Sequence, residues 1–388
     1  MKKTTLLVCA MLAVTSAFAQ NSRQTAKPQL PPNSFIAKTG ETAVEPQGSY
    51  TPSFKVDGTN GKVRNVILMI GDGMGLGAVT SAMFANNGEL TMTNLQTLGY
   101  TRTQSADNFT TDSAASGTAY ATGVKTKNGY VGKDPEQNNV ANIPEKVAPL
   151  GYACGVVSTD DLNGATPAAF FAHQAARGET AAIWADLPAS KLVFASAGTM
   201  GAFNKLEFAT QEAIRKEFTL TGSAAEANAA AATASRLMYL PEKVTLPERG
   251  NYLAETTEMA IDYLSKQGKK GFFLMVEGAR IDKSEHSNDF KGTVAETLDF
   301  DKAIEAAIRF AEKDGHTLVI ISADHETGSV TLRKGEPENG YVQAAFASTG
   351  HSPMMVPLFA FGPHSKDFSC VQENSDVSNK IVKILGGK

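Results

Sequence analysis

Residues 66–75 read Val66-Ile67-Leu68-Met69-Ile70-Gly71-Asp72-Gly73-Met74-Gly75, an unbroken apolar run closed by an acid between glycines. A run this short and this apolar suits a strand buried on both faces, as strands are in parallel sheets covered by helices. Similar runs, rich in Val, Ile, Leu or Phe, recur at 153–157, 192–195, 272–276, 317–321 and 357–361. Between them lie helical-looking stretches such as 252–265 and 293–312, the latter with apolar residues at helical spacing. Strands alternating with helices predict an α/β fold, a three-layer sandwich with a central, mostly parallel sheet flanked by helices.

The 388-residue chain is 42% apolar and 20% charged with a single Trp, the composition of an ordinary globular protein. Collagen-like, coiled-coil and wholly disordered chains are excluded. The formal charge of −4 comes from 36 basic and 40 acidic residues without a basic run, which excludes nucleic acid as a specific partner, because backbone phosphates require clustered Lys and Arg. Met1 to Ala19 carries two lysines, a short apolar run from Leu6 to Val14 and a closing Ala17-Phe18-Ala19. That pattern is a signal peptide cleaved before Gln20, and it implies a periplasmic or secreted product without a membrane span. Loss of Lys2 and Lys3 would take the charge from −4 to −6. The run is about half the roughly 20 residues that a membrane anchor requires.

Residues 20–60, with Pro31-Pro32 and Gly58-Thr59-Asn60-Gly61, show no apolar period and read as a loosely ordered leader. Residues 61–388 then form one domain, with an insertion near 200–250 whose Ala-rich stretch Ser223–Ser235 reads as a surface helix. Cys154 and Cys370 could pair in an oxidising compartment or be buried thiols, and their flanking residues suit either.

Four polar clusters stand where apolar runs end, the edge at which open α/β sheets place their ligands. The first presents Asp72 between glycines. Gly73, Gly75 and Ala78 also fit a dinucleotide-binding fingerprint, but no second strand ending in an acid follows about 20 residues on. The second, Thr111-Asp112-Ser113-Ala114-Ala115-Ser116-Gly117, starts a helix whose amides and dipole would favour Ser113 as a nucleophile facing an anion, while an ordinary N-cap explains it equally well locally. The third, Glu277-Gly278-Ala279-Arg280-Ile281-Asp282-Lys283-Ser284-Glu285-His286, places Asp282 and His286 on one helical face, a spacing suited to a shared metal and also common on solvated helices. The fourth joins Asp324 and His325 after one strand with His351 before another. Mixed imidazole and carboxylate donors suit zinc. His173, His316 and His364 fall outside these clusters.

Together the clusters hold enough donors for two adjacent divalent ions, a serine nucleophile and a third cation, which points to metal-assisted phosphoryl transfer. The strings IGDGMG, TDSAASGTAYATG, ATPAAFFAH, VEGARIDKSEH, ADHETGS and TGHS, in this order, resemble the bacterial alkaline phosphatase family from about residue 63 to the C-terminus. The resemblance implies an exported phosphatase acting on phosphomonoesters, with Ser113 forming a phosphoserine. Asp72, Asp324 and His325 would hold one Zn2+, Asp282, His286 and His351 a second, and Asp72, Thr166 and Glu277 a Mg2+. Arg177 would grip two phosphate oxygens with its planar fork. The resemblance also implies a homodimer, although no interface is legible in one sequence. Gly164 departs from the family, whose members often carry Asp or His there, and the 25 residues between His325 and His351 leave little room for a crown-like insertion. The segment Ser196-Ala197-Gly198-Thr199 also stands in place of a run of glycines common in the family.

Three competing functions fit the same residues less well. Phosphodiester or sulfate ester hydrolysis could use the scaffold, but Arg177 favours a dianionic monoester and no C-x-P-x-R sulfatase motif is present. A non-catalytic zinc- or phosphate-binding protein would have no need of Ser113 and Arg177. A nucleotide-dependent oxidoreductase would leave His286, Asp324, His325 and His351 without a role.

Overall fold

The computed structural model describes residues 37–387. The signal peptide read in Met1 to Ala19 lies outside them. The strands are β1 (Lys38–Ala43), β2 (Asn65–Gly71), β3 (Thr97–Arg102), β4 (Tyr152–Ser158), β5 (Leu192–Ser196), β6 (Thr219–Thr221), β7 (Leu237–Tyr239), β8 (Gly271–Gly278), β9 (Thr317–Ser322), β10 (Glu326–Thr327), β11 (Val330–Glu336), β12 (Tyr341–Phe346), β13 (His351–Ser352), β14 (Val356–Phe361) and β15 (Val371–Glu373).

A 10-stranded sheet of order β15-β3-β14-β9-β2-β8-β4-β5-β7-β6 forms the middle layer. Every neighbouring pair is parallel except the two made by β14, which therefore runs alone against the other strands. The apolar runs of the sequence are its inner strands. Along β2, Val66, Leu68 and Ile70 join the core on one face, while Ile67 and Met69 join the core on the other. The second of these cores is closed by helices Leu76–Ala85, Tyr252–Gln267 and Phe290–Asp314, the first by helices Ser113–Thr122 and Asn374–Ile384 among others. This is the α/β three-layer sandwich expected. No helix of the described residues is long and apolar enough to cross a membrane.

The leader reading needs correction in part. Lys38–Ala43 is a strand that pairs antiparallel with β12, in a separate sheet of order β1-β12-β11. The Tyr341 hydroxyl and the Gln343 amide both donate to Glu41, at 2.8 and 3.1 Å. The short stretch between His325 and His351 is thus spent on the β11–β12 hairpin that receives β1.

In the 200–250 region, β6 and β7 extend the main sheet at its far edge. The Ala-rich stretch is helical only over Ala224–Ala230, started by a capping box between Ser223 and Glu226. Arg249 is buried and donates to Glu296 Oε1 and Oε2 at 3.1 and 2.5 Å and to Asp299 Oδ2 at 2.7 Å, tying this region to the Phe290–Asp314 helix. Cys154 is buried and Cys370 exposed, and both are free.

Candidate active site

The C-terminal ends of β2, β4, β8 and β9 share one edge with the N-terminal end of the reversed β14, so all four polar clusters converge there. Asp72 follows β2, its N–H donating to the Gly278 carbonyl at 3.2 Å and its carbonyl accepting from Asp282 N–H at 2.9 Å. Gly73 adopts φ 77°, and a Cβ there would lie 2.8 Å from the Asp282 backbone. Only glycine lets this loop approach so closely. The Gly73 and His325 N–H groups both donate to Asp324 Oδ1, at 3.1 and 2.9 Å.

Three imidazoles are oriented by what their Nδ1 atoms touch. His286 Nδ1 lies 2.6 Å from the Thr349 carbonyl and His351 Nδ1 lies 2.9 Å from the Thr111 carbonyl. A carbonyl only accepts, so both Nδ1 atoms carry a proton, and in its neutral form each ring presents a lone pair at Nε2. Those two Nε2 atoms face each other at 3.1 Å. His325 behaves alike: the Thr327 hydroxyl donates to Asp282 Oδ1 at 2.7 Å, so it accepts from His325 Nδ1 at 3.2 Å. His325 Nε2 then faces Ser113 Oγ at 3.2 Å, Asp324 Oδ2 at 3.2 Å and Asp72 Oδ1 at 3.5 Å.

Lone pairs and carboxylates this close repel unless a cation or protons lie among them. Asp72 Oδ1 and Asp324 Oδ2 are buried without a hydrogen-bond partner, as a cation would leave them. Asp282, His286 and His351 offer donor atoms within 4.8 Å of one another, and so do Asp72, Asp282 and His325. Asp282 therefore faces both groups, where the sequence had placed it in one. Burial and the charges of Asp324, Asp282 and Glu277 hold the Asp72 pKa well above its ordinary value. The hydrogen bond to Asp282 lifts His286 to about 9.

Ser113 opens the helix Ser113–Thr122 and is nearly buried. Asp112 caps that helix, its Oδ1 accepting from Ala115 N–H at 2.9 Å, and its Oδ2 pairs with Arg177 Nη1 at 3.2 Å. Arg177 thus stands beside the helix that Ser113 opens. Thr166, in the short helix Ala165–Ala169 packed on the Ser113 helix, has a buried and unpartnered Oγ1. Glu277 ends β8 with Oε2 bonded to Ser158 Oγ, and burial with the nearby Asp160 charge pushes its pKa to about 8.

The sequence reading passed over four neighbours. Thr327 links His325 to Asp282, and its position two residues after His325 on the same strand end was the available signal. Asp160 and Lys283 form an ion pair beside Glu277. Glu285 is buried with both oxygens unpartnered. His173, His316 and His364 bond Glu145, the Lys62 carbonyl and Asp367 respectively, away from these groups.

The alkaline phosphatase family model matches residues 63–196 and 240–344. The chain belongs to the alkaline phosphatase family. Alkaline phosphatase 4 of Bacillus subtilis is 33% identical over 346 residues, spanning 83% of this chain and 74% of that protein. The solved alkaline phosphatase of the Antarctic bacterium TAB5 superposes with a TM-score of 0.78 at 33% identity, covering 84% of this chain and 99% of that one. A variant of the TAB5 enzyme with Mg bound in its M3 site gives 0.77 at 34% identity, with the same coverage. This alkaline phosphatase is a phosphomonoester hydrolase, and the stretch its family model passes over, 197–239, contains β6, β7 and the Ala-rich helix.

Proposed function

We propose that this alkaline phosphatase is an exported enzyme that hydrolyses phosphate monoesters through a phosphoserine at Ser113, with two Zn2+ and one Mg2+ as resident ions. The observation that carries the metal reading is the shared orientation of His286, His325 and His351, each held at Nδ1 and aimed by Nε2 at carboxylates of the same edge. A hydrogen bond at the second ring nitrogen is how proteins orient metal-ligating histidines. Asp72, Asp324 and His325 would hold one Zn2+, Asp282, His286 and His351 the other, and Asp72, Thr166 and Glu277 the Mg2+. When bound, the ions supply the positive charge that lowers the pKa of Ser113 and stabilises the departing alcohol oxygen.

The chain's own groups provide the rest. Ser113 Oγ attacks phosphorus in line with the leaving oxygen, so the Ser–O–P bond forms as the ester P–O bond breaks. The amides and dipole of the Ser113–Thr122 helix favour the anionic oxygens gathered at its start. Arg177 is partly exposed and, among the described residues, bonded through its side chain only to Asp112, which leaves other guanidinium N–H groups for two phosphate oxygens. Water then cleaves phosphoserine by the same displacement in reverse, releasing phosphate and restoring the Ser113 hydroxyl.

The deciding experiment compares hydrolysis of p-nitrophenyl phosphate, its bis-ester and the sulfate ester by residues 20–388 at alkaline pH, with Zn2+ and Mg2+ and then with a chelator. Activity confined mainly to the monoester and abolished by the chelator is expected. A preference for either other ester, or turnover indifferent to the chelator, overturns the reading.

A further inference from the structure

Residue 164 is one point at which this chain leaves its family's pattern, and the structure shows what stands there instead. A Cβ on Gly164 would lie 2.8 Å from Asp160 Oδ2, so the Asp160 carboxylate fills the space a side chain at 164 would use. Asp160 is not loosely placed. Its N–H donates to Ser158 Oγ at 2.9 Å, Ser158 Oγ donates to Glu277 Oε2, and Lys283 Nζ donates to Asp160 Oδ1. The Asp160 backbone N–H and the Glu277 carboxylate therefore meet at one hydroxyl, which holds the Asp160 segment beside Glu277. Two buried oxygens of that edge, Thr166 Oγ1 and Asp72 Oδ1, have no partner.

Three carboxylates and an unpartnered hydroxyl against the single ammonium of Lys283 leave an excess of negative charge and unused lone pairs. Asp72, Glu277 and Thr166 are buried, which makes their part of the arrangement costly unless a cation is present. Mg2+ suits it, because it takes oxygen donors and keeps several of its waters.

We propose that Asp160 supplies the acidic oxygen of the third cation site in place of a side chain at 164, directly or through a water that Mg2+ retains, with Lys283 as its positioning residue. The proposal rests on the three-metal reading above. It makes Asp160 and Gly164 interdependent: the carboxylate occupies this space only because residue 164 leaves it free.

The test is Mg2+ titration of the zinc-loaded enzyme by calorimetry, with zinc and magnesium content measured in parallel. Wild-type enzyme is expected to take one Mg2+ per chain. Asp160→Ala and Asp160→Asn should each weaken Mg2+ binding by about tenfold or more with two zinc ions retained, the usual cost of losing an outer-shell partner. Gly164→Asp placed in the Asp160→Ala background should restore most of the affinity, since the vacated space then accepts the new carboxylate. Mg2+ affinity within about twofold of wild type in both single variants, with zinc retained, overturns the role of Asp160 alone. Failure of the wild-type enzyme to bind any third divalent ion overturns the three-metal reading and this proposal with it.

Discussion

Asp112 and Arg177 are joined twice. The Asp112 carboxylate pairs with Arg177 Nη1 at 3.2 Å, and it also accepts from Gly129 N–H at 3.1 Å, whose carbonyl receives the Arg177 N–H at 2.7 Å. The same carboxylate caps the helix that begins with Ser113. Ser113 and the Arg177 guanidinium are thereby held in one frame. Half-exposed ion pairs add little stability, so what this one contributes is orientation.

Asp112→Ala should release both. Loss of the N-cap should cost about 1 kcal/mol of stability. The inhibition constant of inorganic phosphate should rise about fivefold, the order of 1 kcal/mol, as Arg177 loses its rest position. Urea unfolding and product inhibition check the two effects, and unchanged phosphate affinity would sever Arg177 from the capping frame.

Ser113→Ala should lower turnover by on the order of 10³ or more while leaving metal content unchanged. Ser113 Oγ lies 3.2 Å from His325 Nε2, but Thr327 holds that ring at Nδ1, so loss of activity together with loss of metal would assign the serine a structural role. Turnover and bound zinc should be measured on the same preparation.

Arg249→Met should destabilise the protein by about 3 to 5 kcal/mol, because Glu296 and Asp299 would be left as buried, unpaired carboxylates. Both already sit above their ordinary pKa because of burial, which the adjacent Arg249 only partly offsets. Adding Glu296→Gln and Asp299→Leu should recover much of that loss. Recovery absent from the triple variant would show that Arg249 acts through packing.

His173 offers a pH test remote from the proposed ligands. Burial lowers its pKa, but the bond to Glu145 Oε1 at 3.1 Å and the Gly132 carbonyl outweigh burial and hold it above the ordinary 6.5. Glu145 is held below its ordinary 4.5, although burial alone would raise it. The pair therefore contributes fully between those two ordinary values. Its contribution falls as pH rises through the raised pKa of His173, or drops through the lowered pKa of Glu145. His173→Gln should lower Tm more at pH 6 than at pH 9, and an equal loss at both would remove the charge from the account.

The inner strands were legible because their residues are buried on both sides and read as plain apolar runs. β3 was not: its residues alternate between buried and exposed, with Thr97, Gly99 and Thr101 turned inward in place of aliphatic side chains. β6 and β7 are too short to carry a period, and β1 is ordered by a hairpin far along the chain. At the site, Asp72, Asp324 and His325 stood out because each ends an apolar run. Arg177 and Thr166 do not, and only the family resemblance pointed to them. Asp160 escaped notice because its meaning depends on the absence of a side chain at Gly164.

The reversed β14 brings His351 to the edge reached by β2, β8 and β9, so the donor set is drawn from positions as far apart as Asp72 and His351. Ser113 and His325 touch across 212 residues, and Gly73 and Asp324 across 251. Closing such loops costs the unfolded chain entropy, and an ion bridging them acts as a clasp that no fragment of the protein can close. With the proposed ions in place, metal uptake would report on complete folding: a chain nicked or frayed at any contributing strand should surrender its ions before it loses its core.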